Sequence, residues 1–387
     1  MTSGARNPVS ALLTQSEKSA REYPLCAAQV ALARHGELLA FQTFGRAPFA
    51  GGAAGGGRDA DADNRTLFSI YSVTKALISA ASWILLQERA MALDDRVVDY
   101  IPEFGSHGKN AVTVAQLLTH TAGFPRARLP TIDWPDPERR LRHFSGWTLD
   151  WTPGSRFVYH GTATMWVLAE LITRLSNLDY RDFVRTRIAE PLSLENLHIG
   201  LPPTENDRVA DVIGIGEPKS ADERTVAPVD APIVSENMIG DANHPERRAI
   251  GGPGGGAIAT AADIALFYQG LLADAEGRGA HIWHPDMLRD AWSVRNVAFV
   301  DPMTKHPALR GLGIVLAGAE GKLWRGFSED CSPRAFGHMG AGGQISWADP
   351  ATGISFAFLT NGAHRDPVRQ GTNGYLLSTL AAACTAR

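Results

Sequence analysis

The sequence predicts an α/β fold of the α+β kind: an antiparallel sheet flanked by helices, plus an inserted, mostly helical lobe. Three observations carry this. Leu25 to Arg34, His35-Gly36 and Glu37 to Phe44 read as two strands joined at a glycine turn, a β-hairpin. Near the other end, Gln344 to Ala348 and Ile354 to Thr360 are strand-like. They are joined by Asp349-Pro350-Ala351-Thr352-Gly353, turn residues where a turn is needed. Between these ends the chain is mostly helix and loop. Strands from both ends should therefore share one sheet. Residues 1–90 and 251–387 would form a discontinuous α/β domain and 91–250 an inserted helical one, with the site in the cleft between them.

A chain of 387 residues is long enough for two domains, or for one with an inserted lobe. With 44% hydrophobic and 20% charged residues, the class is soluble and globular. A net charge of −4 and the absence of any dense Lys/Arg run argue against a nucleic-acid surface. Cys26, Cys331 and Cys384 are odd in number and far apart, which fits neither a disulfide framework nor a metal motif. The first 25 residues lack the apolar core of a signal peptide and no apolar run reaches membrane-spanning length, so a cytoplasmic location is expected. Neither a metal nor an organic cofactor is suggested.

After the hairpin, Ala50 to Gly57 reads as a flexible loop. It is not a phosphate loop, because no Gly-Lys-Ser/Thr follows. Leu67 to Tyr71 is a short apolar run ending in a turn. Ala76 to Leu86 is a helix apolar nearly all round, a pattern that belongs to a helix buried on every side. At its head stand Ser72 and Lys75, three residues apart and so on one face. A serine hydroxyl needs a group to take its proton. An amine can do so when burial disfavours its charged form, so the pair is a candidate nucleophile and base. The same spacing recurs in Ser106-His107-Gly108-Lys109. No apolar helix follows that copy, so Lys109 is expected to remain solvated and protonated, and Ser106 to be structural.

Further on, Leu93 to Tyr100 is a short helical piece stopped by Pro102, and Thr113 caps a helix running to Thr119. Arg126 to Gly146, rich in proline and arginine, reads as an irregular lobe or lid. Its Trp134, with Trp147 and Trp151 just after, either lines the pocket or packs under loops. Trp151 to Ser155 turns, Arg156 to Tyr159 extends, and Thr162 to Ser176 and Tyr180 to Ala189 are helices. Leu201 to Arg248 is expected to cross the surface as loops. Gly251 to Gly256 lets the backbone pass closely under a neighbour, with no Rossmann strand before it to suggest a nucleotide. Thr260 caps a helix through Leu272. Gly311 to Ala317 is strand-like, and Leu376 to Ala386 is a small-residue helix.

Several of these stretches together resemble one family. They are Phe68-Ser69-Ile70-Tyr71-Ser72-Val73-Thr74-Lys75, Leu117-Leu118-Thr119-His120-Thr121-Ala122-Gly123-Phe124-Pro125, Pro153-Gly154-Ser155-Arg156-Phe157-Val158-Tyr159, Gly254 to Ala261, and Gly337-His338-Met339-Gly340. In this order they resemble the serine β-lactamase superfamily, its class C β-lactamase-like branch in particular, which includes family VIII carboxylesterases and D-amino-acid peptidases. The resemblance implies a β-lactamase/transpeptidase-like fold. It implies that Ser72 is the acylated nucleophile, Lys75 its proton acceptor and Tyr159 a phenolate or shared-proton partner that relays a proton to the leaving group. The backbone N–H groups of Ser72 and Ala341 would form the oxyanion hole, and Gly340 would leave room for substrate. His338 would either donate a hydrogen bond to the acyl enzyme or the tyrosine, or simply wall the cleft.

Two departures bear on the substrate. Gly161 stands where the family carries the Asn of Tyr-x-Asn, and His338 where β-lactamases carry the Lys of Lys-Thr-Gly. A β-lactam or D-Ala-D-Ala peptide presents a carboxylate which that lysine helps recognise. The expectation is therefore a carboxylesterase acting on small neutral esters. Within the class the alternatives are a β-lactamase, a D-amino-acid peptidase or amidase, and an acyltransferase. Outside it, the alternative is a non-catalytic binding protein of the same fold.

Overall fold

The computed structural model describes residues 7–49, 57–217 and 234–385. The expected glycine loop at 50–57 and part of the expected loop region at 201–248 thus lie outside the described residues. Helix α1 (Pro8–Arg21) comes first, with the Asn7 side chain accepting the Val9 N–H at its start. Its polar composition hides it in the sequence, yet Leu12, Ser16 and Ala20 recur once per turn and are buried. Strands β1 (Ala27–Arg34) and β2 (Glu37–Phe49) form the predicted hairpin. His35 and Gly36 both have positive φ, 54° and 84°, as a two-residue turn matched to strand twist requires.

Next come β3 (Arg58–Asp61), β4 (Phe68–Ser69), a 3₁₀ turn at Tyr71–Val73, and α2 (Thr74–Gln87), which is buried from Thr74 to Leu85. The middle of the chain carries α3 (Val114–Leu118), α4 (Pro137–Gly146), α5 (Ala163–Ser176) and α6 (Tyr180–Val184). Thr113 and Gln116 make a reciprocal capping box at the head of α3. Strands β5 (His198–Ile199) and β6 (Ile213–Ile215) and helices α7 (Glu236–Asn243) and α8 (Pro245–Ile250) lead to β7 (Ala257–Ala259). The last part holds α9 (Ala261–Ala275), α10 (Pro285–Ala291), β8 (Val315–Leu316), β9 (Phe336–Gly340), β10 (Gln344–Asp349), β11 (Ile354–Thr360), β12 (Gly362–His364) and α11 (Pro367–Ala382).

The main sheet has the order β3-β2-β1-β11-β10-β9-β8 and every pairing is antiparallel. Its centre is the pairing of β1 with β11, Ala28 opposite Thr360 through Arg34 opposite Ile354, so the two ends of the chain do meet there. Side chains on successive strand residues leave by opposite faces. Ala27, Ala31, Ala33, Ala357 and Leu359 therefore join the core beneath α9, while Ala28, Val30, Leu32, Phe356 and Phe358 join the one beneath α1 and α11. The first core continues without a break through α2 and α5. The middle of the chain is also stitched back by β5 on β7 and by β6 on β12. This is the β-lactamase/transpeptidase-like arrangement, and α2 at its centre carries Ser72 and Lys75 at its head.

Three expectations need correction. Asp136 caps α4 and Pro137 fills its first position, so the second half of the expected irregular lobe is a helix with Phe144 in the core. Of the two alternatives for Trp134 and Trp147 the structure has packing: Trp134 stacks on Trp166 at 4.9 Å and Trp147 on Phe124 at 5.7 Å, both buried. The stretch expected to be surface loop contains α7 and α8, and of Gly311 to Ala317 only Val315–Leu316 pairs as strand. Among the described residues no helix is long and apolar enough to cross a membrane.

Candidate active site

The turn that presents Ser72 is held by its own hydroxyl neighbour. Thr74 Oγ1 donates to the Tyr71 carbonyl at 2.6 Å and accepts from the Ala257 N–H at 3.1 Å, tying the head of α2 to β7. Tyr71 takes a left-handed φ of 47°, which is uncommon for a bulky residue and turns the chain sharply just before Ser72. One helical turn later Lys75 is fully buried. Its Nζ is hydrogen-bonded to Ser72 Oγ at 3.1 Å and donates to the Gly254 carbonyl at 2.5 Å. Burial pushes the Lys75 amine below its ordinary range. The Tyr159 hydroxyl opposes that shift and the charge of Arg310 adds to it.

This bonding pattern suits a neutral amine. Such an amine has two N–H groups and one lone pair. Gly254 takes one N–H, and the lone pair faces the Ser72 hydroxyl. An ammonium would carry a third donor, which meets no acceptor at ordinary hydrogen-bond geometry among the described residues.

The second Ser-x-x-Lys behaves differently, and not for the predicted reason. Lys109 is buried rather than solvated, its ring neighbour is Phe104 at 5.5 Å, and burial pulls it down to about 8. Its Nζ donates to the main-chain carbonyls of Ser106 and Trp147, while the Ser106 hydroxyl faces Ser145 at 3.4 Å. What separates the two copies is thus the group the amine meets: a serine hydroxyl at position 72, backbone carbonyls at position 106.

Tyr159 reaches Lys75 because two motifs bind each other. Gly154 N–H donates to the Thr121 carbonyl at 2.9 Å and Val158 N–H to the His120 carbonyl at 3.3 Å. The His160 N–H donates to His120 Nδ1 at 3.3 Å, and the Phe124 N–H to His160 Nε2 at 3.1 Å. The result sets Lys75 Nζ 5.1 Å from the centre of the Tyr159 ring. The Tyr159 hydroxyl lies near enough to favour the charged amine, yet its buried oxygen makes no hydrogen bond of ordinary geometry to the described residues.

His338 approaches the same ring at 6.1 Å. Its Nδ1 is 2.6 Å from the Met339 carbonyl, which can only accept, so the proton is assigned to Nδ1 and Nε2 is left as a buried acceptor without a partner. In this tautomer Nε2 cannot donate to an acyl group or to Tyr159, contrary to one of the two expected roles. Burial keeps the ring neutral, with Arg310 and Lys75 adding to the effect.

Gly340 also departs from expectation. A Cβ there would meet the Ile70 carbonyl at 2.5 Å and Gln344 Cβ at 2.9 Å, so the glycine serves the close passage of β9 under the Ser72 turn. Ala341 follows at the end of that strand and packs against the cluster around Tyr71, and its N–H makes no hydrogen bond to the described residues. Gln344 Nε2 donates to the Ser69 carbonyl at 3.1 Å and the Thr360 carbonyl at 2.8 Å, which pins β10 to the approach to Ser72. Ser72, Lys75, Tyr159, His338, Gly340 and Ala341 thus converge.

The sequence gives no role to three further participants: the Gly254 carbonyl, His120 and Arg310. His120 Nδ1 accepts a backbone N–H, which leaves Nε2 as an unpartnered donor, and its ring lies 4.9 Å from Tyr159. Arg310 holds its guanidinium 5.4 Å from the same ring. A cavity of about 320 Å³ lies elsewhere, between α1 and α11, lined by Tyr23, Cys26, His364 and Arg369. Ser72, Lys75 and Tyr159 take no part in its walls.

Comparison with known proteins places the chain among relatives of one family. Residues 17–381 match the family model described as Beta-lactamase. The chain is 27% identical over 396 residues to "Esterase EstB" of Burkholderia gladioli, covering 96% of this chain and 93% of that protein. It is 25% identical over 323 residues to "Esterase/beta-lactamase LipL" of Mycobacterium tuberculosis, covering 76% of this chain and 68% of that one. A crystal structure of a family VIII carboxylesterase superposes with a TM-score of 0.76 at 24% identity, over 97% of this chain and 96% of the other, a likeness of fold.

Proposed function

The chain belongs to the beta-lactamase family, and from that premise we propose that it is a carboxylesterase that works through an acyl enzyme on Ser72. The observation that carries the proposal is the buried Lys75 amine bonded at once to the Ser72 hydroxyl and the Gly254 carbonyl. In the acylation step the Ser72 O–H proton passes to the Lys75 lone pair, and Oγ forms a bond to the ester carbonyl carbon. The carbonyl π electrons move to oxygen, where the N–H groups of Ser72 and Ala341 receive the charge. Collapse breaks the bond to the alcohol oxygen, which leaves with a proton supplied by way of Tyr159. Water then attacks the acyl carbon, its proton going to the Lys75 amine; the bond from the acyl carbon to Ser72 Oγ breaks, the carboxylic acid leaves, and Oγ takes the proton back from Lys75.

Small neutral esters are the substrate class best supported. The strand that follows Gly337 offers a neutral, buried His338 where a cation would greet a substrate carboxylate, and Gly161 offers no side-chain amide. Turnover of a short-chain p-nitrophenyl ester measured beside nitrocefin tests this. The ester is expected to be hydrolysed with the higher kcat/KM; a comparable value for the lactam would overturn the substrate assignment.

Tyr159→Phe is expected to lower kcat/KM for the ester by roughly 10²–10⁴-fold, the usual size of a positioned acid–base contribution. Because the Tyr159 hydroxyl is buried without a partner, its removal should not lower the unfolding midpoint. Steady-state kinetics and thermal unfolding on one preparation check both halves. A variant that lost stability together with activity would assign Tyr159 to packing.

A further inference from the structure

Arg310 is a buried cation that forms no ion pair among the described residues. It is 8% exposed, its Nη1 has no hydrogen-bond partner, and among the described residues no carboxylate is ion-paired with it. Asp301 is a carboxylate whose charge reaches it without a salt bridge, one of its oxygens accepting the Met303 N–H at 2.9 Å. The guanidinium instead rests on two aromatic rings, 5.8 Å from Phe157 and 5.4 Å from Tyr159. A buried charge with no partner disfavours folding, so such a residue calls for another explanation than stability.

The ring of Tyr159 is where that explanation lies, because Lys75 Nζ sits 5.1 Å from the same ring centre. Two cations over one ring repel each other, and guanidinium does not give up its proton in a protein. The amine is the group that can. The other groups around Lys75 add no compensating negative charge: Ser72 on its own helix, the Gly254 carbonyl before β7, and the neutral rings of His120 and His338. Among the described residues, the Tyr159 hydroxyl is the group that favours the charged amine.

We infer that Arg310 is a positioning residue of the acylation step, its permanent charge on the Tyr159 ring holding Lys75 in the neutral form that can accept the Ser72 proton. The inference rests on Lys75 being the base. It adds a residue that contacts neither the ester nor Ser72 in the proposed mechanism.

The test follows Lys75 itself. Protein carrying ¹³Cε-labelled lysine is titrated by NMR as wild type, Arg310→Met, Arg310→Gln and Arg310→Lys, with the Lys75 signal assigned by its loss in Lys75→Met. The two ring distances put the charges within about 10 Å of each other, so removing one in a site of effective dielectric about 20 should raise the Lys75 midpoint by about one pH unit or more in both neutral variants. Arg310→Lys should move it less than either. The acid limb of kcat/KM should shift in the same direction, and the neutral variants should unfold at no lower temperature than wild type. A Lys75 midpoint that stays in place or falls in the neutral variants overturns the inference. The NMR titration needs no substrate, so failure of the ester assay would remove the proposed function and leave this result to be read by itself.

Discussion

Ser72→Ala is expected to lower kcat/KM for a short-chain ester by at least about 10⁴-fold, since removing the nucleophile of a serine hydrolase disables the other members of its unit as well. The loss should be confined to chemistry. Ser72 Oγ makes one hydrogen bond to the described residues, with Lys75. Its deletion should change the unfolding free energy by about 1 kcal/mol or less. Denaturant unfolding beside the kinetic assay separates the two readings. A Ser72→Ala protein that retained a tenth of the ester turnover would show that the reaction does not pass through this hydroxyl, whatever its environment.

Lys75→Met should be comparably inactive, and its stability should reveal why. In the folded chain burial holds the amine below its ordinary value, so above the folded value the native state binds fewer protons at this site than the unfolded chain. Stability then rises with pH until the unfolded lysine also loses its proton, near its ordinary value of 10.5. Methionine has no such dependence. The unfolding midpoint of Lys75→Met relative to wild type should therefore be higher near neutral pH than at about pH 9.5. A difference that is flat with pH would mean that Lys75 is an ordinary ammonium, and the base would have to be sought elsewhere. Activity and stability pull in opposite directions at this residue, as they often do where a site keeps a buried polar group for chemistry.

The pairing of Ser72 with Lys75 was legible because the relation is local. Ser72 and Lys75 need only a helix to share a face, and the apolar run from Ala76 to Leu86 declares both the helix and its burial. The hairpin at His35-Gly36 and the caps at Thr113 and Thr260 are local in the same way. The sheet followed from strand-like segments at the two ends of the chain, although α1 was concealed by its polar residues. Helices α4, α7 and α8 stayed hidden because they are short and polar: α4 and α8 begin at a proline, and the side chains of Asp136 and Ser235 cap α4 and α7.

Tyr159 was reachable by motif, not by periodicity. Its place beside Lys75 depends on hydrogen bonds between residues 120–124 and 154–160, which no spacing rule predicts. Gly254, His120 and Arg310 lie further from any local signal, since a carbonyl, a core ring and a lone arginine acquire meaning only when the chain folds them against one tyrosine. Lys109 marks the limit of such reasoning. Its surroundings in sequence are polar, yet the carbonyl of Trp147 and the ring of Phe104 enclose it. Its burial resembles that of Lys75, and only the partner of the amine tells the two apart.

That distinction sets the most direct test of the central claim, that Ser72 is the acylated nucleophile. The full chain is incubated with a p-nitrophenyl phosphonate and the adduct located by peptide mass spectrometry. One phosphonyl group on Ser72 is the predicted result, absent in Ser72→Ala and slowed in Lys75→Met. No adduct on wild type, or one on Ser106 that persists in Ser72→Ala, would contradict it.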